Sequence, residues 1–133
     1  MAKKRRQKYK SYEKAIIKNV KLNRDHICYY CKKEIIEKED LTVDHKSPYN
    51  GTNTTYGNCE ICCSTCNIEK GCKNENQYND YLSYKNKISK LSKNQIKIER
   101  ERVVNLLRLG EQFEDGIFLR YKAQATHVLL KSV

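Results

Sequence analysis

Two Cys-x-x-Cys pairs constrain this chain more than any other feature of its sequence. The first pair is Cys28 with Cys31, and a second pair follows after a long intervening segment. Each pair presents two sulfurs from a tight turn, and four thiolates satisfy one tetrahedral zinc ion. The pattern therefore predicts a closed, structural zinc site. Spacing alone leaves two choices for the second pair: Cys59 with Cys62, or Cys63 with Cys66.

The composition favours a small domain that needs such a site. The 133 residues are 38% hydrophobic, which is little apolar material for a large core. No secretory signal follows the start and seven cysteines are an odd number for a disulfide framework, so we expect a cytoplasmic protein with reduced thiols. No segment is long and apolar enough to cross a bilayer, so we expect no membrane partner.

The charge of the chain predicts a polyanionic partner. The net charge is +11 overall, made up of +9 in residues 1–24, −3 in residues 25–71 and +5 in residues 72–133. Basic flanks can neutralise phosphates while the acidic centre holds a cation. The run Lys3-Lys4-Arg5-Arg6 is either an arm that contacts DNA or a solubilising tail.

Between the cysteine pairs the sequence predicts a β-loop-β-α unit. Residues 41–45 alternate as a strand does, and residues 47–57 are rich in Asn, Thr and Gly, as surface loops are. A short strand around residues 58–61 and a helix that opens near Ser64 complete the unit.

Helices are expected on both sides of this unit. Residues 11–22 have an amphipathic pattern around Ala15, Ile16 and Val20, and the capping-box pattern Ser92-x-x-Gln95 precedes a helix that ends near residue 110. A last helical segment, with some β-structure as the alternative, follows Asp115. We therefore expect an α+β fold with three parts: a basic arm and helix at 1–24, a core at 25–75 and a mainly helical extension at 76–133.

Three polar side chains in the core are suited to phosphodiester chemistry. Hydrolysis needs a water molecule, a group that takes its proton, and positive charge near the scissile phosphate. His45 can take a proton near neutral pH. Asp44 and Asn67 offer the carboxylate and amide oxygens that hold Mg²⁺.

The motifs follow one another in a fixed order. They are Cys28-Tyr29-Tyr30-Cys31, Val43-Asp44-His45-Lys46-Ser47-Pro48, Asn58, and Cys63-Ser64-Thr65-Cys66-Asn67-Ile68-Glu69-Lys70-Gly71. This series resembles the HNH endonuclease family, in which a cysteine knuckle, Asp-His-x-x-Pro, an Asn and a second knuckle followed by Asn or His and Lys-Gly occur in turn. The nine-residue step from Asn58 to Asn67 favours Cys63 and Cys66 as the second zinc pair.

The resemblance implies a ββα-metal core stapled by a four-cysteine zinc site. It implies that His45 is the general base, that Asp44 and Asn67 bind a catalytic Mg²⁺ or Mn²⁺ ion, and that Asn58 holds the loop and orients His45. Double-stranded DNA is the implied substrate, cut to a 5′-phosphate and a 3′-hydroxyl.

Other expectations are less directly tied to these motifs. Lys46 and Lys70 are near enough in sequence to the site to contact phosphate. A phage or mobile-element nuclease and a bacterial restriction or defence enzyme are the natural settings, and cutting both strands would need a homodimer or two events. The alternative function is a zinc-stapled nucleic-acid-binding module without catalysis, which has no need of Asn67.

Overall fold

The computed structural model describes residues 9–109 and 114–131, with the side chains of 114–116 left out. The chain divides into two units, Met1–Glu75 and Asn76–Val133. The elements in chain order are α1 (Ser11–Asn23), a short 3-10 helix (Lys38–Asp40), β1 (Leu41–His45), β2 (Cys59–Cys63), α2 (Ser64–Lys70), α3 (Glu75–Ser89), α4 (Lys93–Arg108) and α5 (Glu114–Lys131). The α+β class and the small sheet followed by a helix are therefore confirmed.

The sheet of the first unit has two antiparallel strands. Leu41 pairs with Cys63 at one end, and His45 pairs with Cys59 at the other. The hydroxyl of Thr42 adds a hydrogen bond of 2.7 Å to the carbonyl of Cys62. The first strand has the expected bounds, whereas the second begins and ends slightly later than the sequence suggested.

Helix α2 follows the sheet directly and begins at Ser64, as expected. The backbone N–H of Cys66 donates to Sγ of Cys63 at 3.4 Å, so the second cysteine pair also caps the helix. The helix ends at Gly71, whose φ of 55° lies in the left-handed region that favours glycine. The Gly71 N–H donates to the carbonyl of Asn67 at 3.2 Å.

Helix α1 contacts both strands of the sheet. Its buried side chains are Glu13 and Val20. Of the three residues in the predicted amphipathic pattern, Val20 is buried, Ile16 is half-buried and Ala15 is exposed. Just after the helix, Arg24 donates to the carbonyl of Tyr56 at 2.7 Å and to the Glu60 carboxylate at 2.9 Å. These bonds tie the end of α1 to the start of β2.

The described residues of the second unit form α3, α4 and α5 with short connections, which confirms the expected helices and leaves no strand among these residues. Ser92 and Gln95 form the predicted capping box at the start of α4. Helices α4 and α5 pack against each other around buried Val103, Leu119 and Ala125. None of the helices in the described part of the chain is long and apolar enough to span a membrane.

We predict that Val20→Ala destabilises the first unit. Val20 is fully buried on α1, and removing its two methyl groups leaves a cavity, so the free energy of unfolding should fall by about 2 kcal/mol. The exposed Lys18→Ala on the same helix is the matched control and should change it little. Denaturant titration of the full chain measures both. Equal stability of the two variants would contradict the docking of α1 on the sheet.

Candidate metal centre and active site

Four cysteine side chains come together at the end of the sheet where β2 meets α2. The sulfurs of Cys28, Cys31, Cys63 and Cys66 all lie within 4.8 Å of one another, and those of Cys31 and Cys63 are 3.9 Å apart. A tetrahedral zinc with bonds of about 2.3 Å separates its sulfurs by about 3.8 Å. The cluster therefore fits a zinc ion, and it consists of the pairs that the family resemblance favoured.

The surroundings shift the pKa values of Cys28 and Cys63 in opposite directions. Burial acts to raise the pKa of Cys28, but backbone N–H groups of Cys63, Cys31 and Tyr30 donate to its sulfur and bring the pKa down to about 6. Burial raises the pKa of the Cys63 thiol. A thiolate is the form that binds metal, so the surroundings of Cys28 favour the bound form.

Cys59 and Cys62, the competing pair, belong to β2 and are completely buried. Burial raises the pKa of both thiols, which keeps them neutral. Within the described residues the four-sulfur cluster contains neither of them. They act as small apolar residues of the core.

Asp44 is buried, with 6% of its surface exposed, and has two strong partners. Its Oδ2 accepts a hydrogen bond of 2.7 Å from the hydroxyl of Tyr30. The ammonium group of Lys70 lies 3.2 Å from the same oxygen and 3.3 Å from Oδ1. The carboxylate is thus held in place by one donor from the first cysteine knuckle and one from the end of α2.

The position of Lys70 corrects an expectation from the sequence. We expected it to face a phosphate, but only 1% of the side chain is exposed. Besides pairing with Asp44, its Nζ donates to the backbone carbonyl of His45 at 2.9 Å. A buried lysine requires such partners to offset its lost hydration, so Lys70 serves the interior of the site.

Asn67 lies on α2 and faces the middle of β1. Its amide nitrogen donates to the hydroxyl of Thr42 at 3.0 Å, two residues before Asp44 on the strand. Carboxylate and amide oxygens are the ligands that a hard cation such as Mg²⁺ accepts. The side-chain oxygens of Asp44 and Asn67 are therefore of the type that binds such an ion. An ion bound there would contact the same carboxylate of Asp44 that pairs with Lys70.

His45 is 7% exposed and is held by one hydrogen bond and two rings. Its Nε2 lies 2.9 Å from the hydroxyl oxygen of Thr54. The ring of Tyr9 stacks on the imidazole with 5.9 Å between centroids, and the ring of Tyr49 approaches to 5.2 Å. Burial lowers the pKa of His45 more than the nearby carboxylates of Asp44 and Glu13 raise it. The imidazole is therefore neutral near pH 7 and can accept a proton.

Asn58 closes the loop between the strands. Its Oδ1 accepts from the backbone N–H of Ser47 at 3.0 Å, while its Nδ2 donates to the carbonyls of Ser47 and Asn53 at 3.2 and 3.0 Å. All the polar atoms of this side chain are thus used inside the loop that follows His45. This placement suits a residue that holds the loop next to His45 in position.

The structure adds two residues that the sequence did not single out. Thr54 is the one buried residue of the loop at 46–58, and its hydroxyl donates to the carboxylate of Glu13 at 2.7 Å. Glu13 is a charged residue on the buried face of α1, seven positions before Val20. An acid on the apolar face of a helix is the signal that the sequence did offer.

The remaining basic residues expected to contact DNA are Lys46 and the N-terminal run. Lys46 lies beside the site with its Nζ 3.7 Å from the Glu60 carboxylate and near the ring of Tyr29. The run Lys3-Lys4-Arg5-Arg6 lies outside the described residues.

A small antiparallel sheet followed by a helix, with a histidine at the end of the first strand and a four-cysteine cluster that fits a zinc ion, defines a ββα domain. Residues 28–73 match the family model for HNH endonuclease, which places the match on this ββα segment. The match accounts for 46 of the 133 residues. No curated protein and no solved structure matches the chain.

We predict that the purified chain holds about one tightly bound zinc ion. The double variant Cys63→Ser, Cys66→Ser should lose it, because two of the four sulfurs in the cluster are gone. Elemental analysis after dialysis against a mild chelator gives the zinc content. Cys72→Ser is the matched control, since this cysteine is exposed and outside the cluster, and should keep the metal.

The competing register gives the opposite pattern. Zinc retained by the Cys63→Ser, Cys66→Ser variant but lost from a Cys59→Ala, Cys62→Ala variant would contradict the cluster seen here.

Proposed function

We propose that this protein is a metal-dependent DNA endonuclease that hydrolyses phosphodiester bonds with a water molecule activated by His45. The observation that carries the proposal is the neutral, firmly oriented His45 at the end of β1 inside a domain of the HNH endonuclease family. The family match supports nuclease chemistry in general terms. The substrate and the residue roles are the proposal.

In the proposed reaction His45 removes one proton from a water molecule. The water oxygen forms a bond to phosphorus, and the bond between phosphorus and the 3′ oxygen breaks. The products are a 5′-phosphate and a 3′ oxygen that takes up a proton from solvent. Burial keeps His45 neutral before the reaction, which is the form a general base requires.

Asp44 and Asn67 would hold one Mg²⁺ or Mn²⁺ ion, which when bound supplies positive charge beside the phosphate and the leaving oxygen. Tyr30 and Lys70 hold the carboxylate of Asp44 in one orientation, and an ion bound there would share this carboxylate with Lys70. Asn58 and its hydrogen bonds to Ser47 and Asn53 hold the loop behind His45.

The charge distribution supports double-stranded DNA as the substrate. Residues 1–24 carry a net charge of +9 and residues 72–133 carry +5, on either side of the acidic core. Lysine and arginine side chains that neutralise phosphates release counterions and supply affinity without sequence preference. We place the protein in a cytoplasm, as a phage or mobile-element nuclease or a restriction or defence enzyme. Cutting of both strands would need a homodimer or successive events.

A second candidate function is a zinc-stapled module that binds nucleic acid without cutting it. The buried ion pair between Asp44 and Lys70 favours this candidate, because it occupies the carboxylate that the nuclease would use for its ion. Cleavage assays separate the two functions directly.

We predict that the protein nicks or cuts plasmid DNA when Mg²⁺ or Mn²⁺ is added, and that EDTA stops the reaction. His45→Ala should lower the cleavage rate by at least about 100-fold, because the proton acceptor is removed. His26→Ala is the matched control, since this histidine is exposed and its ring is hydrogen-bonded to the carbonyl of Lys21 at 2.9 Å, away from His45. Gel quantification of supercoiled, nicked and linear DNA gives the rates.

Two results would count against this mechanism. Equal cleavage by His45→Ala would remove His45 as the base. Tight DNA binding without cleavage under any divalent ion would favour the binding module.

We predict that the N-terminal basic run contributes to DNA affinity. Replacing Lys3, Lys4, Arg5 and Arg6 with alanine should weaken binding and reduce the slope of log K against log salt by about 0.9 for each phosphate that is no longer neutralised. A second variant with alanine at four exposed lysines of the other unit controls for the change in net charge: Lys87, Lys90, Lys93 and Lys97. Fluorescence anisotropy with a labelled duplex measures both. The same slope in the wild type and the N-terminal variant would identify the run as a solubilising tail.

A further inference from the structure

Glu13 precedes the segment that matches the HNH family, yet a short chain of hydrogen bonds connects it to His45. Its side chain is completely buried, although it is the only acidic residue among residues 1–24. Its Oε2 accepts a hydrogen bond of 2.7 Å from the hydroxyl of Thr54. The same hydroxyl oxygen lies 2.9 Å from Nε2 of His45. One hydroxyl group therefore joins the carboxylate to the imidazole.

The chemistry of the three groups determines which way these hydrogen bonds run. Hydrogen bonds from Thr54 and from the Lys10 backbone N–H lower the pKa of Glu13 despite its burial, so the carboxylate is ionised and can only accept. Thr54 has a single hydroxyl proton, and this proton is used in the hydrogen bond that Thr54 donates to Glu13. The Thr54 oxygen is then left to accept a hydrogen bond from Nε2 of His45.

We propose that Glu13 is a positioning residue which, acting through Thr54, keeps neutral His45 in the tautomer with its proton on Nε2 and its lone pair on Nδ1. The catalytic consequence rests on the proposed nuclease function, because Nδ1 is then the atom that takes the proton from water. None of the described residues makes a hydrogen bond to Nδ1. A residue of helix α1 thus determines which ring nitrogen of His45 carries the proton.

The substitution Glu13→Gln tests the direction of these hydrogen bonds, because other donors around the carboxylate fix how a glutamine would be oriented. The Lys10 backbone N–H and the Tyr49 hydroxyl both donate to Oε1, at 3.0 and 3.1 Å. The amide oxygen of a glutamine must face these donors, since a backbone N–H cannot act as an acceptor. Its NH₂ group then faces Thr54 and donates to it. The Thr54 proton turns towards His45, which favours the tautomer with the proton on Nδ1.

The tautomer can be observed without any substrate. Nitrogen-15 chemical shifts of the imidazole ring distinguish a protonated from an unprotonated ring nitrogen, and the His45 signals are those missing in His45→Ala. At about pH 8, where histidine is neutral, zinc-loaded wild-type protein should show the proton on Nε2. Glu13→Gln should shift the equilibrium towards Nδ1. Thr54→Val, which removes the hydroxyl and keeps the shape, should leave a mixture.

Cleavage kinetics provide the second measurement. Glu13→Gln and Thr54→Val should each lower kcat by roughly tenfold or more with KM little changed, because DNA contacts stay while the base loses its orientation. Thr54→Ser keeps the hydroxyl and should restore kcat to near the wild-type value. Glu39→Gln, an exposed acid in the same unit, is the matched control for the change in charge. Thermal melting and zinc content verify the fold of each variant.

The outcomes separate this inference from the nuclease proposal. Wild-type His45 with its proton on Nδ1, or unchanged ring shifts in both Glu13→Gln and Thr54→Val, overturns the role of Glu13 even if DNA is cut. If the wild type cuts no DNA but the ring shifts move as expected, the nuclease proposal fails and the control of the tautomer stands. If Glu13→Gln does not fold, the comparison of ring shifts and kcat between Thr54→Val and Thr54→Ser tests the inference instead.

Discussion

A sheet of two five-residue strands is too small to be stable alone, and the arrangement of the first unit follows from that constraint. The sheet needs partners on its face and at its ends. Helix α1 covers it with buried Val20, and Arg24 ties the helix to the start of β2. The four-cysteine cluster joins the segment before β1 to the start of α2. Zinc bound there would cross-link these segments.

The same elements that stabilise the sheet also position the polar side chains. Asp44 is held between Tyr30, from the first cysteine knuckle, and Lys70, at the end of α2. His45 is held from the opposite direction by Thr54, which is itself bound to Glu13 on α1. Adjacent residues on a strand face opposite ways, so each side chain receives its partners from a different part of the unit. Loss of either support would affect stability and function together.

Much of the local structure could be predicted because it depends on neighbouring residues. The alternation of residues 41–45, the helix start at Ser64 and the capping box of Ser92 with Gln95 all depend on contacts a few residues apart. Ala15, one of the three residues in the amphipathic pattern predicted for α1, is exposed, because which residues of a helix are buried depends on what packs against it. Lys70 was expected at the surface for a related reason, since its partners Asp44 and His45 lie 26 and 25 positions away.

The sequence by itself determined the ββα core, the cysteines available for zinc and the identity of His45 as the only histidine within the ordered motifs. Those conclusions follow from residue type and spacing, which persist in any conformation. Only the tertiary structure decided between Cys59 with Cys62 and Cys63 with Cys66, because the choice depends on which sulfurs meet Cys28 and Cys31 in space. Only the tertiary structure showed that Glu13 is linked to His45, since hydrogen bonds between residues 32 positions apart produce no periodic pattern in a sequence.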